Sequence, residues 1–259
     1  MFTTKDILTL RQIEGVGDIK LRQLFSSFDS IDELFETPPA KLQQITSPHI
    51  AQTIFDFKKN GSFEKAIAFS ELQLETAYKL GGKILSIFDN EYPESLKTIY
   101  DAPIVLFLLG NIIPADKYSI AIVGTRNPSL YGKKITEMFA EEFARNSICV
   151  ISGLAYGVDS IAHKTALAHS SRTIAVLAGG VDRIYPQENI ELAKHIRENG
   201  AIVSEFPFGT RPEAFLFPRR NRIISGISLG TLLIESALDG GGMITMNMAL
   251  DQNKELFAV

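Results

Sequence analysis

Beyond about residue 79, short apolar runs rich in β-branched residues alternate with longer amphipathic segments. This alternation predicts strands connected by crossover helices, which is the arrangement that produces a parallel sheet. The apolar runs at residues 84–88 and 104–109 precede the first clear unit and are predicted as extra edge strands. The six clearest strands are predicted at residues 120–123, 149–151, 173–177, 201–203, 231–234 and 255–259.

The first crossover segment has the most regular pattern. Ile135, Met138, Phe139 and Phe143 recur at steps of three and four residues, and most charged residues of the segment fall opposite them. This spacing predicts an amphipathic helix that packs one face on the sheet.

The first 78 residues show helical periodicity, as in Leu21, Leu24 and Phe28. They predict a small all-helical module whose boundary lies near residue 79, just before Gly81-Gly82. Gly15 and Gly17 flank a turn of the kind with which helix-hairpin-helix modules hold a DNA phosphate. Two glycines that merely permit a tight turn explain the same pattern, so both interpretations stay open.

Composition then narrows the class of protein. Of the 259 residues, 45% are apolar and 22% are charged, which is typical of a globular chain. The longest apolar run, residues 104–109, is too short to span a bilayer, and residues 1–6 lack the pattern of an export signal. We therefore expect a cytoplasmic protein without a membrane segment. The single cysteine, Cys149, lies in an apolar run and is predicted to fill the core.

The net charge of −4 argues against a protein that coats nucleic acid through bulk charge, but it allows a local basic site. In an open parallel sheet, ligands bind beyond the carboxyl ends of the strands. Glycines follow four predicted strands, and the loops also carry Arg126 and the hydroxyls of Thr125 and Ser152. Together they indicate a ligand that bears phosphate, whereas short turns alone would explain any one of the loops. The loops are Gly124-Thr125-Arg126, Ser152 to Gly157 with Tyr156, Gly179-Gly180 and Gly240 to Gly242.

A second candidate feature is the segment from Arg211 to Arg222, which contains four arginines and one acidic residue. Phe215 and Phe217 are interleaved with the arginines, a combination that suits unpaired bases and a phosphate backbone. Pro218 is predicted to begin a helix and to place Arg220, Asn221 and Arg222 in its first turn. Arginine conflicts with the dipole there, and a bound anion would remove the conflict. The alternative is a solvated face with salt bridges to Glu205 or Glu213.

Several enzyme motifs fail on spacing or order. No Gly-x-Gly-x-x-Gly follows the first strand, and Gly124 and Gly132 are too far apart for a phosphate loop. The pattern Gly226 to Gly230 resembles a nucleophile elbow, but it precedes a strand and no histidine follows it. Asp159 and His163 lack further metal ligands nearby, so a helix cap and a packed histidine are the favoured interpretation. We expect no cofactor, no metal and no catalytic residue.

Several ordered motifs from Ile120 to Val259 resemble the DNA processing protein A family, DprA or Smf, of bacterial transformation. The helical start with its Gly-Val-Gly turn fits the common domain order of that family. The motifs are Ala121 to Arg126, Ser152 to Ala155, Gly157 to Asp159, Ala162-His163, Tyr185-Pro186, Ser204-Glu205 and Phe217 to Gly226.

The resemblance implies an extended Rossmann-like, doubly wound, mainly parallel domain at residues 79–259, after a helix-hairpin-helix or SAM-like domain at residues 1–78. It further implies a homodimer that binds single-stranded DNA and loads RecA recombinase on incoming DNA during natural transformation, in competition with single-strand-binding protein and without covalent chemistry. The DNA-binding residues that it implies are Gly124, Thr125, Arg126, Ser152, Gly153, Tyr156, Phe217, Arg219, Arg220, Asn221 and Arg222.

The sequence departs from the family pattern at several positions. Gly240 to Gly242 replace a loop that usually carries serines, and Met246 replaces an alanine after Thr245. Tyr156 and Gln187 stand where basic residues are frequent, which predicts a lower affinity for DNA. The chain ends at Val259, where many members continue into a winged-helix domain, so that domain is expected to be absent or removed.

An enzyme is the alternative function. Related Rossmann-like proteins of the lysine-decarboxylase-like group hydrolyse nucleoside monophosphates with a Pro-Gly-Gly-x-Gly-Thr-x-x-Glu motif. Here the Pro-Gly-Gly is missing, and three residues rather than two separate Thr231 from Glu235. The mismatch with this motif favours a DNA-binding function over the enzyme.

Overall fold

The computed structural model describes residues 2–259. The amino-terminal part is helical because short polar residues cap successive helices: Thr3 and Asp6 form a reciprocal capping box, and the hydroxyls of Ser30 and Ser47 accept hydrogen bonds from first-turn N–H groups. The helices are α1 (Thr4–Leu10), α2 (Asp18–Ser27), α3 (Ile31–Glu36), α4 (Pro39–Leu42), α5 (Pro48–Lys59) and α6 (Ser62–Lys79).

The rest of the chain builds one eight-stranded sheet, in the order β1-β2-β6-β5-β4-β3-β7-β8. The pairs from β6 through β8 are all parallel, whereas β1 and β2 pair antiparallel with each other and β2 pairs antiparallel with β6. The predicted mainly parallel α/β fold is therefore confirmed. The strands are β1 (Gly82–Ser86), β2 (Val105–Gly110), β3 (Ser119–Val123), β4 (Cys149–Ser152), β5 (Thr173–Val176), β6 (Ala201–Ser204), β7 (Gly230–Leu233) and β8 (Glu255–Ala258).

Helices cover both faces of the sheet, because successive strand residues point to opposite sides and both sets are apolar. On one face, Ile174 and Val176 of β5 pack with Ile223 and Ile224. On the other face, Ile122 of β3 packs with helices that follow β3 and β4. The helices of this part are α7 (Glu94–Lys97), α8 (Leu130–Arg145), α9 (Val158–Ala168), α10 (Ile190–Asn199), α11 (Leu216–Ile227) and α12 (Gly241–Asp251).

The helix of the arginine-rich segment begins earlier than its sequence predicts. Helix α11 starts at Leu216, so Pro218 is its third residue rather than its first. Proline is tolerated there because N–H groups of the first turn have no partner within the helix. Arg220 and Arg222 consequently lie in the second turn of α11. The predicted conflict between arginines in the first turn and the helix dipole therefore does not arise.

The strand order places the carboxyl ends of β3, β4, β5 and β7 along one edge. From β3 the chain proceeds outward to β4, β5 and β6, and it then returns through α11 to β7 on the other side of β3. Such a reversal of direction leaves a crevice at the carboxyl edge where sheets of this type bind ligands. The loops singled out in the sequence follow these four strands.

The amino-terminal helices pack on the sheet through a shared core. One hydrophobic cluster joins Leu8 and Leu21 of the helices to Phe107 of β2 and Phe208 after β6. The amide of Gln73 in α6 accepts a hydrogen bond from the Phe208 N–H at 2.8 Å. Helix α6 ends at Lys79 and β1 begins at Gly82, so the helices end and the sheet begins next to the predicted boundary. That this point separates two domains stays a prediction.

Two further predictions from the sequence concern Cys149 and membrane-spanning helices. Cys149 is buried among apolar side chains of the sheet. Among the helices of residues 2–259, none is long and apolar enough to cross a membrane.

We expect urea to unfold the chain in a single transition, because the helical part and the sheet share one core. Six of the seven tyrosines lie beyond residue 78 and the seventh, Tyr78, lies near the end of α6. Tyrosine fluorescence therefore reports mainly on the part that contains the sheet, whereas far-UV circular dichroism reports on helices throughout. The two probes should give the same midpoint. Two separate midpoints would show that residues 1–78 unfold as a unit of their own.

Candidate functional site

Arg220 is a buried charge at the carboxyl edge of the sheet. Its Nη1 donates hydrogen bonds to the carbonyl oxygens of Gly153 at 2.6 Å and Val176 at 2.5 Å, where β4 and β5 end. Its Nε donates to the Asn221 side-chain oxygen at 3.1 Å. Burial lowers the pKa of Arg220 to about 10, so the guanidinium remains charged at neutral pH. Its Nη2 has no protein hydrogen-bond partner among residues 2–259, and Arg220 lines a cavity of about 90 Å³.

The loop after β4 is shaped around this guanidinium. A Cβ at Gly153 would collide with the Arg220 guanidinium, so glycine is required by close approach. The carboxylate of Asp159 accepts hydrogen bonds from the N–H groups of Gly153 at 3.1 Å and Ala155 at 3.3 Å. Burial raises the pKa of Asp159, and the charge of Arg220 opposes that shift. Asp159 is the second residue of α9 and not its N-cap, which is Gly157, so its carboxylate orders the preceding loop instead of capping the helix as the sequence predicts.

His163 lies fully buried behind the same charge. Thr173 donates its hydroxyl to the Val150 carbonyl at 2.7 Å, so it must accept from Nδ1–H of His163, 2.6 Å away. This assigns the neutral tautomer with a bare Nε2, which has no partner among residues 2–259. Burial, aided by the Arg220 charge, lowers the pKa of His163 to about 3. The predicted packed, hydrogen-bonded histidine is what the structure shows.

Phe217 lies between two guanidinium groups. The Arg126 guanidinium carbon is 5.4 Å from the ring centroid, and that of Arg220 is 5.9 Å away. The Tyr185 ring meets Phe217 edge to face, with centroids 6.1 Å apart. An open pocket of about 440 Å³ adjoins these side chains and is also lined by Pro212, Asn221, Gly241 and Ile244. Cations and aromatic faces therefore meet at one concave surface, which we call the cleft.

Arg126 is the exposed charge of the cleft. Among residues 2–259, no carboxylate oxygen lies within 4 Å of its guanidinium and no side-chain hydrogen bond engages it. Gly124 and Thr125 precede it, and a Cβ at Gly124 would press on Val158 at 2.7 Å. The Thr125 carbonyl accepts a hydrogen bond from the Val158 N–H, which attaches the loop to α9. An unpaired, exposed guanidinium is free to pair with a phosphate.

Arg219 and Arg222 face a carboxylate instead of the cleft. Arg222 Nη2 pairs with Glu205 Oε2 at 2.7 Å and its Nε with Asp101 at 3.2 Å, while Arg219 Nη2 lies 3.5 Å from Glu205. The salt bridges to Glu205 that the sequence left as an alternative therefore describe these two arginines. Successive residues of a helix point in different directions, so α11 presents Phe217 and Arg220 to the cleft and these arginines elsewhere.

Two further candidate residues are engaged with protein atoms. The buried hydroxyl of Ser152 donates to the Ile122 carbonyl at 2.7 Å, and it thereby ties β4 to β3. The exposed Tyr156 donates its hydroxyl to Glu188 at 2.5 Å, and this hydrogen bond raises the pKa of Tyr156. Asn221, by contrast, lines the cleft and also contacts the Gly241 carbonyl through its amide at 3.4 Å.

Sequence reasoning missed Tyr185, Pro212 and Ile244 as cleft residues. Tyr185 belongs to a motif that the family resemblance included, and that membership was its only indication in the sequence. Pro212 lies within the arginine-rich segment, whereas Ile244 looks like an ordinary apolar residue of α12. The hydroxyl of Ser228, in the excluded nucleophile-elbow pattern, is buried and bonds to helix carbonyls of α11.

The fold and the cleft define a class: a Rossmann-like α/β protein with a cationic, aromatic-lined cleft at the carboxyl edge of its sheet. Comparison with known sequences makes the assignment specific. The model of the family described as DNA recombination-mediator protein A matches residues 83–259. The chain belongs to this family, whose curated members carry the names DprA and Smf.

Two curated relatives illustrate the similarity. The DNA processing protein DprA of Bacillus subtilis is 42% identical over 185 residues, which cover 71% of this chain and 62% of that protein. Protein Smf of Escherichia coli is 43% identical over 169 residues, which cover 65% of this chain and 45% of that protein. The chain spans 45% to 63% of the length of the curated relatives it matches.

Solved structures agree with the fold. The structure of DprA from Streptococcus pneumoniae superposes with a TM-score of 0.80 at 29% identity, covering 99% of this chain and 86% of that chain. DprA from Helicobacter pylori superposes with a TM-score of 0.62 at 30% identity, covering 69% of this chain and 81% of that chain.

We expect the buried His163 to make the stability of the chain depend on pH. Because its pKa is about 3 when folded and about 6.5 when unfolded, the unfolded chain binds the extra proton below pH 6.5. Stability present above that pH is then lost as the pH falls, by about 1.4 kcal/mol per unit.

Urea unfolding at about pH 7.5 and 5.5 checks this, with His163→Gln as the comparison. The natural chain should lose about 1.4 kcal/mol more than the variant over this interval. Equal losses would show that His163 accepts a proton in the folded state.

Proposed function

We propose that the chain binds single-stranded DNA in the cleft and acts as a recombination mediator. The observation that carries this proposal is the arrangement of Arg126, Phe217 and Arg220: an exposed, unpaired guanidinium lies on an aromatic ring whose neighbour is a buried guanidinium. Phosphate pairs with the cations, and a base stacks on the aromatic side chains beside them.

The pocket beside Phe217 favours single strands for a geometric reason. In a duplex the faces of the bases are covered by their neighbours, whereas a single strand can turn a base toward Tyr185 and Phe217. The pocket of about 440 Å³ gives room for such a base, and Arg126 borders it. The 90 Å³ cavity, which Arg220 and Gly124 line, lies at the amino end of α12 and suits a phosphate group.

The proposed DNA-binding residues then divide by role. Gly124, Arg126, Phe217, Arg220 and Asn221 line the cleft or the adjoining 90 Å³ cavity and form the proposed contact surface. Thr125 and Tyr156 line neither, and we propose them as additional contacts outside these cavities. Ser152 and Gly153 shape the loop behind Arg220. Arg219 and Arg222 act through Glu205, which fixes the orientation of α11.

The relatives support the same proposal. The structure of the Helicobacter pylori DprA is described as showing a single-stranded DNA binding mode for that protein. We extend single-strand binding to this chain, together with the family role in DNA processing. We also propose that it forms a homodimer, works in the cytoplasm and loads RecA on incoming DNA during natural transformation.

We propose binding without covalent chemistry. The acid that the nucleotide-hydrolase motif would supply, Glu235, accepts hydrogen bonds from Ser129, and the buried Asp159 accepts from Gly153 and Ala155. Together with the missing nucleotide-hydrolase motif, these hydrogen bonds argue against hydrolysis at this site. Release of free base from a nucleoside monophosphate by the purified chain would reverse this part of the proposal.

Fluorescence anisotropy with labelled oligo(dT) and a matched duplex tests the proposed site. We expect tight, salt-sensitive binding of the single strand and weak binding of the duplex. Arg126→Ala should weaken single-strand binding by about 10-fold to 100-fold, because it removes a charge-assisted contact. It should also lower the slope of log affinity against log salt by about 0.7, the value of one phosphate.

Arg145→Ala is the matched control. Arg145 lies at the far end of α8, is exposed and pairs with Glu141, so this variant removes the same charge away from the cleft. Its affinity should stay within about twofold of the natural chain, since long-range charge is screened. Equal loss in both variants would show that bulk charge, not the cleft, holds the DNA.

The RecA role has its own test. RecA hydrolyses ATP when it assembles on single strands, and single-strand-binding protein slows that assembly. Adding this chain to coated oligonucleotide should raise RecA ATPase activity, and Arg126→Ala should fail to do so at matched concentration. No rise with the natural chain, under conditions where it binds DNA, would contradict the RecA proposal alone.

A further inference from the structure

The loop that carries Arg126 is held by a residue from a different strand. This loop, residues 124–129, connects β3 to α8, and Glu235 follows the neighbouring strand β7 by two residues. Because the Arg126 side chain makes no hydrogen bond of its own within residues 2–259, the position of its guanidinium depends on the loop backbone and on its contact with Phe217.

Glu235 contacts this loop at both ends. Its backbone carbonyl accepts a hydrogen bond from the Thr125 N–H at 2.7 Å, directly before Arg126. Its Oε2 accepts from the Ser129 N–H at 2.9 Å, and its Oε1 accepts from the Ser129 hydroxyl. Arg126 therefore stands on a loop whose two ends are attached to one residue.

The surroundings of the carboxylate show that the space is built for it. A Cβ at Gly132, in the first turn of α8, would collide with the Glu235 carboxylate. The Ser129 hydroxyl in turn caps α8 by accepting from the Gly132 N–H at 3.0 Å. The hydrogen bonds from Ser129 lower the pKa of Glu235, so the carboxylate is charged at neutral pH. The Glu235 carboxylate thus holds the Ser129 end of the loop, at the start of α8.

We infer that Glu235 is a positioning residue for DNA binding: its carboxylate holds Ser129, and with it the β3–α8 loop, so that Arg126 faces the cleft. This inference rests on the proposed function, since it concerns the same site. Nothing in the sequence singled out this role, because Glu235 stood out there only as the acid of the mismatched nucleotide-hydrolase motif.

The inference predicts an effect opposite to simple electrostatics. Removing a negative charge close to bound DNA strengthens binding or leaves it unchanged. Removing a positioning carboxylate weakens it, because Arg126 then samples orientations that do not meet the phosphate. The sign of the change separates the two explanations.

The test measures oligo(dT) anisotropy for Glu235→Ala, Glu235→Gln and Glu137→Ala. Glu137 is exposed on α8 and serves as the control for charge. Glu235→Ala should weaken binding by about fivefold, the change that corresponds to the ~1 kcal/mol typical for loss of a capping side chain. Glu235→Gln keeps an acceptor for the Ser129 N–H and should recover most of the affinity. Glu137→Ala should bind at least as well as the natural chain.

A double variant distinguishes positioning from general damage. In an Arg126→Ala background, Glu235→Ala should weaken binding no further, because its effect passes through Arg126. Ser129→Ala removes the hydroxyl contact with Glu235 Oε1 and the cap of α8, and it leaves the N–H contact with Oε2 in place. It should still weaken binding, and it keeps the inference testable if Glu235→Ala fails to fold.

The possible results distinguish failure of the proposed DNA site from failure of the inferred role of Glu235. If Arg126→Ala binds normally, the proposed site is wrong and this inference falls with it. If Arg126→Ala weakens binding but Glu235→Ala and Ser129→Ala do not, the inference alone is overturned. An additive loss in the double variant overturns it as well.

Discussion

The need to keep one buried guanidinium charged determines much of this structure. Arg220 is almost entirely removed from water, so its Nε and Nη1 donors must meet protein acceptors. Carbonyl groups at the ends of adjacent parallel strands supply them, from Gly153 and Val176. This arrangement explains why residue 153 lacks a side chain, why Asp159 is buried nearby and why His163 stays neutral.

The proposed function depends on the same arrangement, because the arginines of α11 point in two different directions. Phe217 and Arg220 face the cleft, whereas Arg219 and Arg222 face Glu205 and stabilise the orientation of the helix. A segment that looks uniformly cationic in the sequence therefore contains one part that holds the helix and one part that is open to a ligand. Arg126, from the β3–α8 loop, completes the open part.

The sequence predicted the sheet well because each buried strand is a short apolar run, and glycine directly follows β3 and β4. The family resemblance assigned Arg126, Phe217 and Arg220 to one DNA-binding site, and the structure brings these three side chains together. The sequence could not say which arginines are neutralised, because Glu205 is distant in sequence from Arg222 and reaches it only through the fold. The start of α11 was misplaced because proline fits any position of a first turn.

The central claim is that a single strand binds with its phosphate at Arg126 and a base at Phe217. A crystal structure of the chain with a short oligo(dT) tests it most directly. The account predicts a phosphate oxygen within hydrogen-bond distance of the Arg126 guanidinium and a thymine packed against Phe217 or Tyr185. DNA bound on another surface, with the cleft empty, would contradict it.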